Sequence, residues 1–140
     1  MANSQAFCTS AKVDALKAIA ATADTIKAAL YLASASLGAA TTAYSATGEV
    51  SGTGYSAGGI DVTHANDASS SGTTAIWTPS GDLVWNGVSI SAFDAVLLYN
   101  ASQANRAIAV YTFGSQTVVA GTFTLTMPAN DASNALLRIA

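Results

Sequence analysis

Residues 121–127 read GTFTLTM, and this stretch is the clearest indication of the fold. Phe123, Leu125 and Met127 alternate with three threonines. Because successive side chains of a strand point to opposite faces, the stretch predicts a half-buried strand with one apolar face and one hydroxyl-bearing face. Pro128 follows at once and ends the strand, since proline has no amide to donate.

The chain beyond residue 40 repeats this pattern of short apolar runs separated by Gly, Ser and Asn, at intervals of roughly a dozen residues, which is typical of all-β proteins. Two runs, 93–99 and 106–113, are apolar on both faces, so we expect them to be central in a sheet or covered by a partner. The predicted strands in this region are 59–64, 72–78, 82–90, 93–99, 106–113, 121–127 and 135–139.

The N-terminal part predicts a helix over residues 10–21. Val13, Leu16 and Ala20 recur at spacings of three and four, which places them on one narrow apolar stripe. The Thr-Ser pair at 9–10 offers a side-chain oxygen for the N-cap, which the first amides of a helix require.

Residues 25–32 alternate between apolar and polar side chains and predict a further strand. Because alanines continue to residue 35, one longer helix is the alternative. Eight strands without strand–helix–strand alternation indicate a mainly β protein. The predicted fold is an antiparallel two-sheet sandwich or jelly roll with one short N-terminal helix. We expect one domain over residues 1–140, with 1–23 as its N-terminal arm and helix.

The composition limits the classes of function. Charged residues make up only 9% of the chain and the net charge is −3, whereas an average domain has about 25% charged residues. The chain is therefore either a small β protein coated with Ser and Thr or one that packs against partners. Its five basic residues form no cluster, so nucleic acid is not an expected partner. Neither a signal peptide nor a membrane span is predicted.

The titratable residues predict neither a metal site nor a cofactor. Cys8 is the only cysteine, and we expect it to be a small buried apolar residue rather than a reactive thiol. One cysteine and one histidine, His64, are too few for a zinc cluster. Asp61 and Asp67 lack the regular spacing of calcium ligands, so we expect both to form Asx turns in loops.

Residues 44–59 read YSATGEVSGTGYSAGG and contain two overlapping motifs. Residues 52–57 match the dinucleotide fingerprint G-x-G-x-x-A, but neither the helix nor the later acidic residue that binds the nucleotide follows. Residues 54–58 match the nucleophile elbow G-x-S-x-G, but Ser56 would have to combine with an Asp and a His on the same extended stretch. We therefore predict no catalytic residue and interpret 44–59 as a long connection between strands.

Trp77, Trp85 and Tyr99 could form an aromatic platform for a sugar. All three lie within predicted strands, where core packing is the favoured interpretation.

Three segments carry a resemblance to a known family: residues 29–59, 95–115 and 123–140. Together they make up half of the chain, and they resemble the jelly-roll cement (decoration) proteins of tailed-bacteriophage capsids. This resemblance implies a β-sandwich, in agreement with the strand count, and it carries no catalytic motif to transfer.

The resemblance also implies a role and a location. The chain would be a structural virion protein, made in the cytoplasm of the host bacterium, that binds the outside of the capsid and bridges subunits of the major capsid protein. It would form a homo-oligomer, with a dimer favoured over a trimer because two-fold contacts are the commonest. The alternative is a receptor- or glycan-binding module of a phage tail or fibre.

The candidate contact residues lie in the long connection. Tyr44, Glu49 and Tyr55 are the aromatic and charged side chains of 44–59, so we expect them, rather than Ser56, to contact the capsid. The N-terminal segment 1–10 is a second candidate surface.

Overall fold

The computed structural model describes residues 3–140 and confirms the predicted class. Within that range the chain is mainly β, with two antiparallel sheets and one α-helix. Its contacts group into two compact units, described separately below; the single domain expected over 1–140 stays a prediction. In chain order the elements are α1 (Thr9–Ile19), β1 (Ile26–Leu32), β2 (Ile60–Asp61), β3 (Ser69–Ser71), β4 (Thr74–Trp77), β5 (Leu83–Asn100), a 3-10 turn (Ala101–Gln103), β6 (Arg106–Leu125) and β7 (Leu137–Ile139).

The first unit contains α1 and a three-stranded sheet in the order β3-β4-β7. Its described parts are residues 3–23, 64–80 and 127–140. The helix packs against β4, and Leu16 and Ala20 of the predicted stripe are buried. Burial of this apolar stripe explains why a helix of 11 residues, too short to be stable alone, forms here.

The start of α1 differs from the prediction in two respects. Cys8, not Thr9 or Ser10, occupies the N-cap position, and it has an extended backbone and makes no side-chain cap. Cys8 is also exposed, so its expected burial is wrong; no residue from 3 to 8 is buried, and the chain there forms no helix or strand. Lys12 is buried instead, and its Nζ donates to the carbonyl oxygen of Thr73 at 2.9 Å.

The second unit contains Asp24–Thr63 and Gly81–Thr126 and forms a four-stranded sheet in the order β2-β1-β5-β6. Strand β1 lies between β2 and β5, and its residues Ala28 to Tyr31 are fully buried. One core cluster of this unit consists of Ala29, Tyr31, Ala95, Leu97 and Tyr99.

Strands β5 and β6 are longer than predicted. The strands expected at 82–90 and 93–99 both fall in β5, and those expected at 106–113 and 121–127 both fall in β6, which ends at Leu125. The strand expected at 135–139 corresponds to β7. The register shifts at several points along this pair, and Ala92 and Ala120 have positive φ angles of 56° and 47°. A β-bulge absorbs an extra residue and bends the strand without ending the ladder. Strand β5 therefore continues through residues 91–92, and β6 continues through residues 114–120, which lie between the predicted strands.

The sheet order shows which of the two runs that are apolar on both faces is central. Residues 93–99 lie in β5 and are central, as expected, but 106–113 begin β6, which is the edge strand. No residue of β6 is fully buried. On its outer side, the pairing found among residues 3–140 is the single bridge between Ala43 and Arg106.

Candidate docking site

The connection between β1 and β2 contains the three predicted contact residues, and its backbone is hydrogen-bonded to strands on two sides. The amide of Val50 donates to the carbonyl of Leu30 at 3.0 Å, and the amide of Ser89 donates to the carbonyl of Thr53 at 2.8 Å. Val50 is buried. The stretch 44–59 is thus a connection between strands, as predicted, and through Val50 it also contributes to the core.

Glu49 brings the three predicted contact residues together. Its Oε1 accepts from the hydroxyl of Tyr44 at 2.6 Å, and its Oε2 accepts from the hydroxyl of Tyr55 at 2.8 Å. Oε2 also accepts from the amide of Gly58 at 2.8 Å. A carboxylate needs several donors when it leaves bulk water, and these three groups supply them. The polar atoms of Tyr44, Glu49 and Tyr55 therefore bind one another, and their contact with a capsid stays a prediction.

Further tyrosines join this group to the sheet. The hydroxyl of Tyr55 accepts from the amide of Leu30 at 3.0 Å. The ring of Tyr44 stacks on Tyr99 with centroids 4.8 Å apart, and the Tyr99 hydroxyl donates to the carbonyl of Gly58 at 2.6 Å. We call Tyr44, Glu49, Tyr55 and Tyr99 the tyrosine–glutamate cluster. It fixes both ends of the connection against β1 and β5.

The cluster keeps its phenols protonated. Burial raises the pKa of Tyr55 above its ordinary value, and the hydrogen bond to Glu49 raises it further, because ionisation would bring two negative charges together. The same two causes raise the pKa of Tyr44. Burial, followed by the charge of Glu49, raises the pKa of Tyr99 to about 12. All three phenols are therefore hydrogen-bond donors at neutral pH.

The glycines of the apparent dinucleotide motif have a packing role. A Cβ on Gly52 would lie 2.0 Å from the carbonyl oxygen of Ser89, and one on Gly54 would lie 2.0 Å from the carbonyl oxygen of Gly87. Gly54 also has a φ of 81°, which other residues rarely adopt. The connection lies directly on the backbone of β5, and only glycine leaves room for that approach.

The residues of the apparent nucleophile motif have local roles. Ser56 is exposed, and its carbonyl accepts from the amide of Gly59 in a turn. Asp61 forms an ion pair with Lys27 at 2.8 Å. The ring of His64, in the first unit, packs edge-on against Trp77, with centroids 6.0 Å apart.

The Asx turns expected at two aspartates are wrong. Asp61 lies in β2 and pairs with Lys27, and Asp67 accepts from the hydroxyl of Thr22. A long-range donor was available to each carboxylate, and the sequence does not reveal such donors. An Asx-type arrangement forms instead at Asp131, which accepts from the backbone two and three residues further on.

The aromatic residues considered for a sugar platform are in the core. Trp77, Trp85 and Tyr99 are 1%, 3% and 2% exposed, which confirms the core interpretation. The indole of Trp77 donates to the carbonyl of Asn66 at 3.2 Å, and Trp85 packs beside Phe123 with centroids 5.8 Å apart.

The described residues contain no group of three or more His, Cys, Asp or Glu side chains that could hold a metal ion. Among the same residues, no helix is long and apolar enough to cross a membrane.

Sequence analysis missed a groove beside the outer edge of β6. The groove has a volume of about 340 Å³. It lies between residues 107–112 of β6 and residues 37–41, which belong to the segment between β1 and β2. The sequence signal was the uncharged run AIAVYT at 107–112, which was read only as a strand apolar on both faces. Because sequence does not reveal which strand lies at an edge, the groove could not be inferred from this run.

The comparisons with known proteins add no relative: no family model, curated protein or solved structure matches this chain. The arrangement of side chains is one of packing and hydrogen bonding. Two of its accessible surfaces are the outside of residues 44–59, where Ser45, Thr47, Ser51, Thr53 and Ser56 are exposed, and the edge of β6.

Proposed function

We propose that this protein is a structural virion protein that binds the outside of a phage capsid and bridges neighbouring subunits of the major capsid protein. The observation that supports this role best is strand β6. It has 20 residues and lies at the sheet edge, and it carries no charged side chain after Arg106. Edges of free proteins are usually protected by charges, proline, β-bulges or a covering segment. Strand β6 has bulges but neither charge nor proline after Arg106, and this uncharged edge suits a protein that works against a partner.

The connection 44–59, which is hydrogen-bonded to the sheet, supports the same role. The tyrosine–glutamate cluster fixes residues 44–59 on β1 and β5, so their exposed hydroxyls and backbone groups are ordered before any contact forms. A preorganised surface loses little conformational entropy on binding. We expect the contact to be formed by the outside of this connection as well as by β6.

Modest affinity at each contact is sufficient for such a protein. One copy that touches two subunits of a shell benefits from a high effective concentration for the second contact. Because it binds the assembled shell and not free subunits, it stabilises the shell by mass action. Neither nucleic acid nor a membrane is required, and the expected location is the exterior of the capsid.

The test is to delete the gene or dissociate the protein from purified virions and then to heat the particles. We expect depleted heads to release DNA at a lower temperature than complete heads, and re-addition of the protein to restore the difference. Equal heat resistance would contradict the proposal.

Counting labelled copies on intact virions separates this role from the tail or fibre alternative. Many copies spread over the head support a cement protein. A few copies at the tail would instead support a receptor-binding module.

A further inference from the structure

We propose that the N-terminal arm Asn3–Phe7 of one copy binds along the β6 groove of a second copy. The β6 groove is the space between residues 107–112 and residues 37–41. The partner is thus another molecule of this chain, held by strand addition to the outer edge of β6. The inference concerns the free protein and does not depend on the capsid role.

The groove is built on a rigid floor. Leu37, Ala107 and Val110 line it, and all three pack against the core cluster that contains the fully buried Tyr31 and Leu97. Because these lining residues rest on a closely packed core, the groove does not need to form on binding. An occupant would therefore meet an apolar surface that is already in place.

One wall of the groove is formed by residues 107–112 of β6. This strand wall is suited to pairing with a further strand. Residues 107–112 read AIAVYT, with β-branched and aromatic side chains and without charge, glycine or proline. Short segments of this kind at an exposed edge pair readily with other extended chains. From Ala109 to Thr112 the ladder to β5 is regular, so the backbone there is straight enough to accept another strand.

Residues 37–41 form the second wall of the groove and limit the kind of segment that can bind there. Residues 37–41 run beside the groove, and the bridge between Ala43 and Arg106 closes one end. Because residues 37–41 lie alongside the strand wall, we expect the occupant to be a single extended segment rather than a whole second sheet edge. The amide of Ala107 already donates to the carbonyl of Thr42 at 3.0 Å, so residues 108–112 are the part of the strand wall considered for pairing. Five residues of an extended chain span about 17 Å, which matches the length of the arm Asn3–Phe7.

The N-terminal arm has the matching chemistry. Residues 3–8 are all exposed and form no helix or strand. Their sequence, NSQAFC, carries no charge, so no ionised group would be transferred into the groove. Phe7 is 60% exposed, and its ring centroid lies 5.8 Å from the ammonium of Lys12 in the same chain. A side chain of this size gains free energy from the further burial that the groove offers.

Reciprocal exchange would strengthen the contact. If each of two copies donates its arm to the other, the second insertion is intramolecular and benefits from effective concentration. Such an exchange has two-fold symmetry and produces a closed dimer rather than an open chain.

Cys8 gives a direct test because it is the only cysteine and lies exposed beside Phe7. We would prepare Ala107→Cys and Thr112→Cys, at the two ends of the strand wall, and oxidise each protein gently. The two positions are about 16 Å apart along the strand, and a disulfide needs Cα atoms within about 7 Å. We expect one of the two variants, and not both, to form a dimer joined through Cys8.

Gln116→Cys is the matched control, since it is exposed on the same strand outside the groove. Peptide mapping of the dimer identifies the linked cysteines. The proposal is overturned if neither groove variant links to Cys8 of another copy, if Gln116→Cys links equally well, or if the bridge forms within one chain.

A second measurement uses no new cysteine. We expect Phe7→Ser to weaken self-association at least tenfold in sedimentation equilibrium, because the main apolar contact of the arm is lost. Val119→Ser, which alters a valine that is 81% exposed, should leave the association unchanged. Dimers that persist in Phe7→Ser would instead indicate another contact, such as direct pairing of two β6 edges, and would refute the arm proposal.

Discussion

The hydroxyl of Tyr55 lies 2.8 Å from Oε2 of Glu49 and donates to it. The two residues are six positions apart in the sequence, and this bond closes the stretch between them against β1. Like the bond from Tyr44 to Glu49, it joins two residues that were expected to contact an external partner.

We expect Glu49→Ala to destabilise the protein by about 2–4 kcal/mol, because three buried or half-buried donors would lose their acceptor. Urea unfolding followed by Trp fluorescence measures the change. Glu49→Gln is the control: it retains one acceptor oxygen, so its cost should be smaller. Equal stability of Glu49→Ala and the natural protein would show that the cluster contributes nothing to folding.

Tyr55→Phe should be more destabilising than Tyr44→Phe. The Tyr55 hydroxyl donates to Glu49 and accepts from the amide of Leu30, whereas the Tyr44 hydroxyl makes the single bond to Glu49. We expect a loss of about 2–3 kcal/mol for the first variant and about 1 kcal/mol for the second. A thermal unfolding series compares them, and the reverse order would contradict the assigned bonds.

Stability should fall at alkaline pH. The ordinary pKa of tyrosine is 10.0, and in the folded chain burial raises the pKa of Tyr99 to about 12 and also raises those of Tyr44 and Tyr55. The folded state therefore retains protons that the unfolded state loses, so stability is complete below pH 10 and decreases as pH rises from 10 towards 12.

Absorbance of tyrosinate and the CD spectrum, recorded during one titration, check this expectation. We expect most tyrosinate to appear together with unfolding. Ordinary titration of every tyrosine near pH 10 in a chain that remains folded would contradict it.

Gly54→Ala should cost at least about 2 kcal/mol, because it adds a steric clash with β5 to an unfavourable φ. Gly38→Ala and Gly114→Ala are matched controls, since a Cβ at either position would meet nothing within 4 Å. We expect these two variants to remain within about 0.5 kcal/mol of the natural protein. Denaturant midpoints for the three proteins give the comparison.

Ser56→Ala should change neither stability nor function. The side chain is exposed, and the turn uses the backbone carbonyl of Ser56. We expect the free energy of unfolding to remain within about 0.5 kcal/mol and virions that carry the variant to resist heat normally. A loss of stability or of heat resistance would indicate that the side chain of Ser56 has a functional role.

The stretch 121–127 and its neighbours were sufficient to predict the mainly β class, two antiparallel sheets and a short N-terminal helix, because alternation and helical spacing are local properties of the chain. The burial of Trp77, Trp85 and Tyr99 was predicted on the same basis. Strand ends were not, since the bulges at Ala92 and Ala120 continue β5 and β6 through residues that would ordinarily end a strand.

The sequence by itself therefore determined the type of secondary structure and the burial of Trp77, Trp85 and Tyr99. Only the tertiary structure decided that β6 lies at an edge, that Tyr44, Glu49 and Tyr55 bind one another, and that Gly52 and Gly54 lie against β5. The physical reason is that sheet order, long-range hydrogen bonds and close backbone approach depend on residues far apart in the chain, and no local pattern records which distant residues will meet.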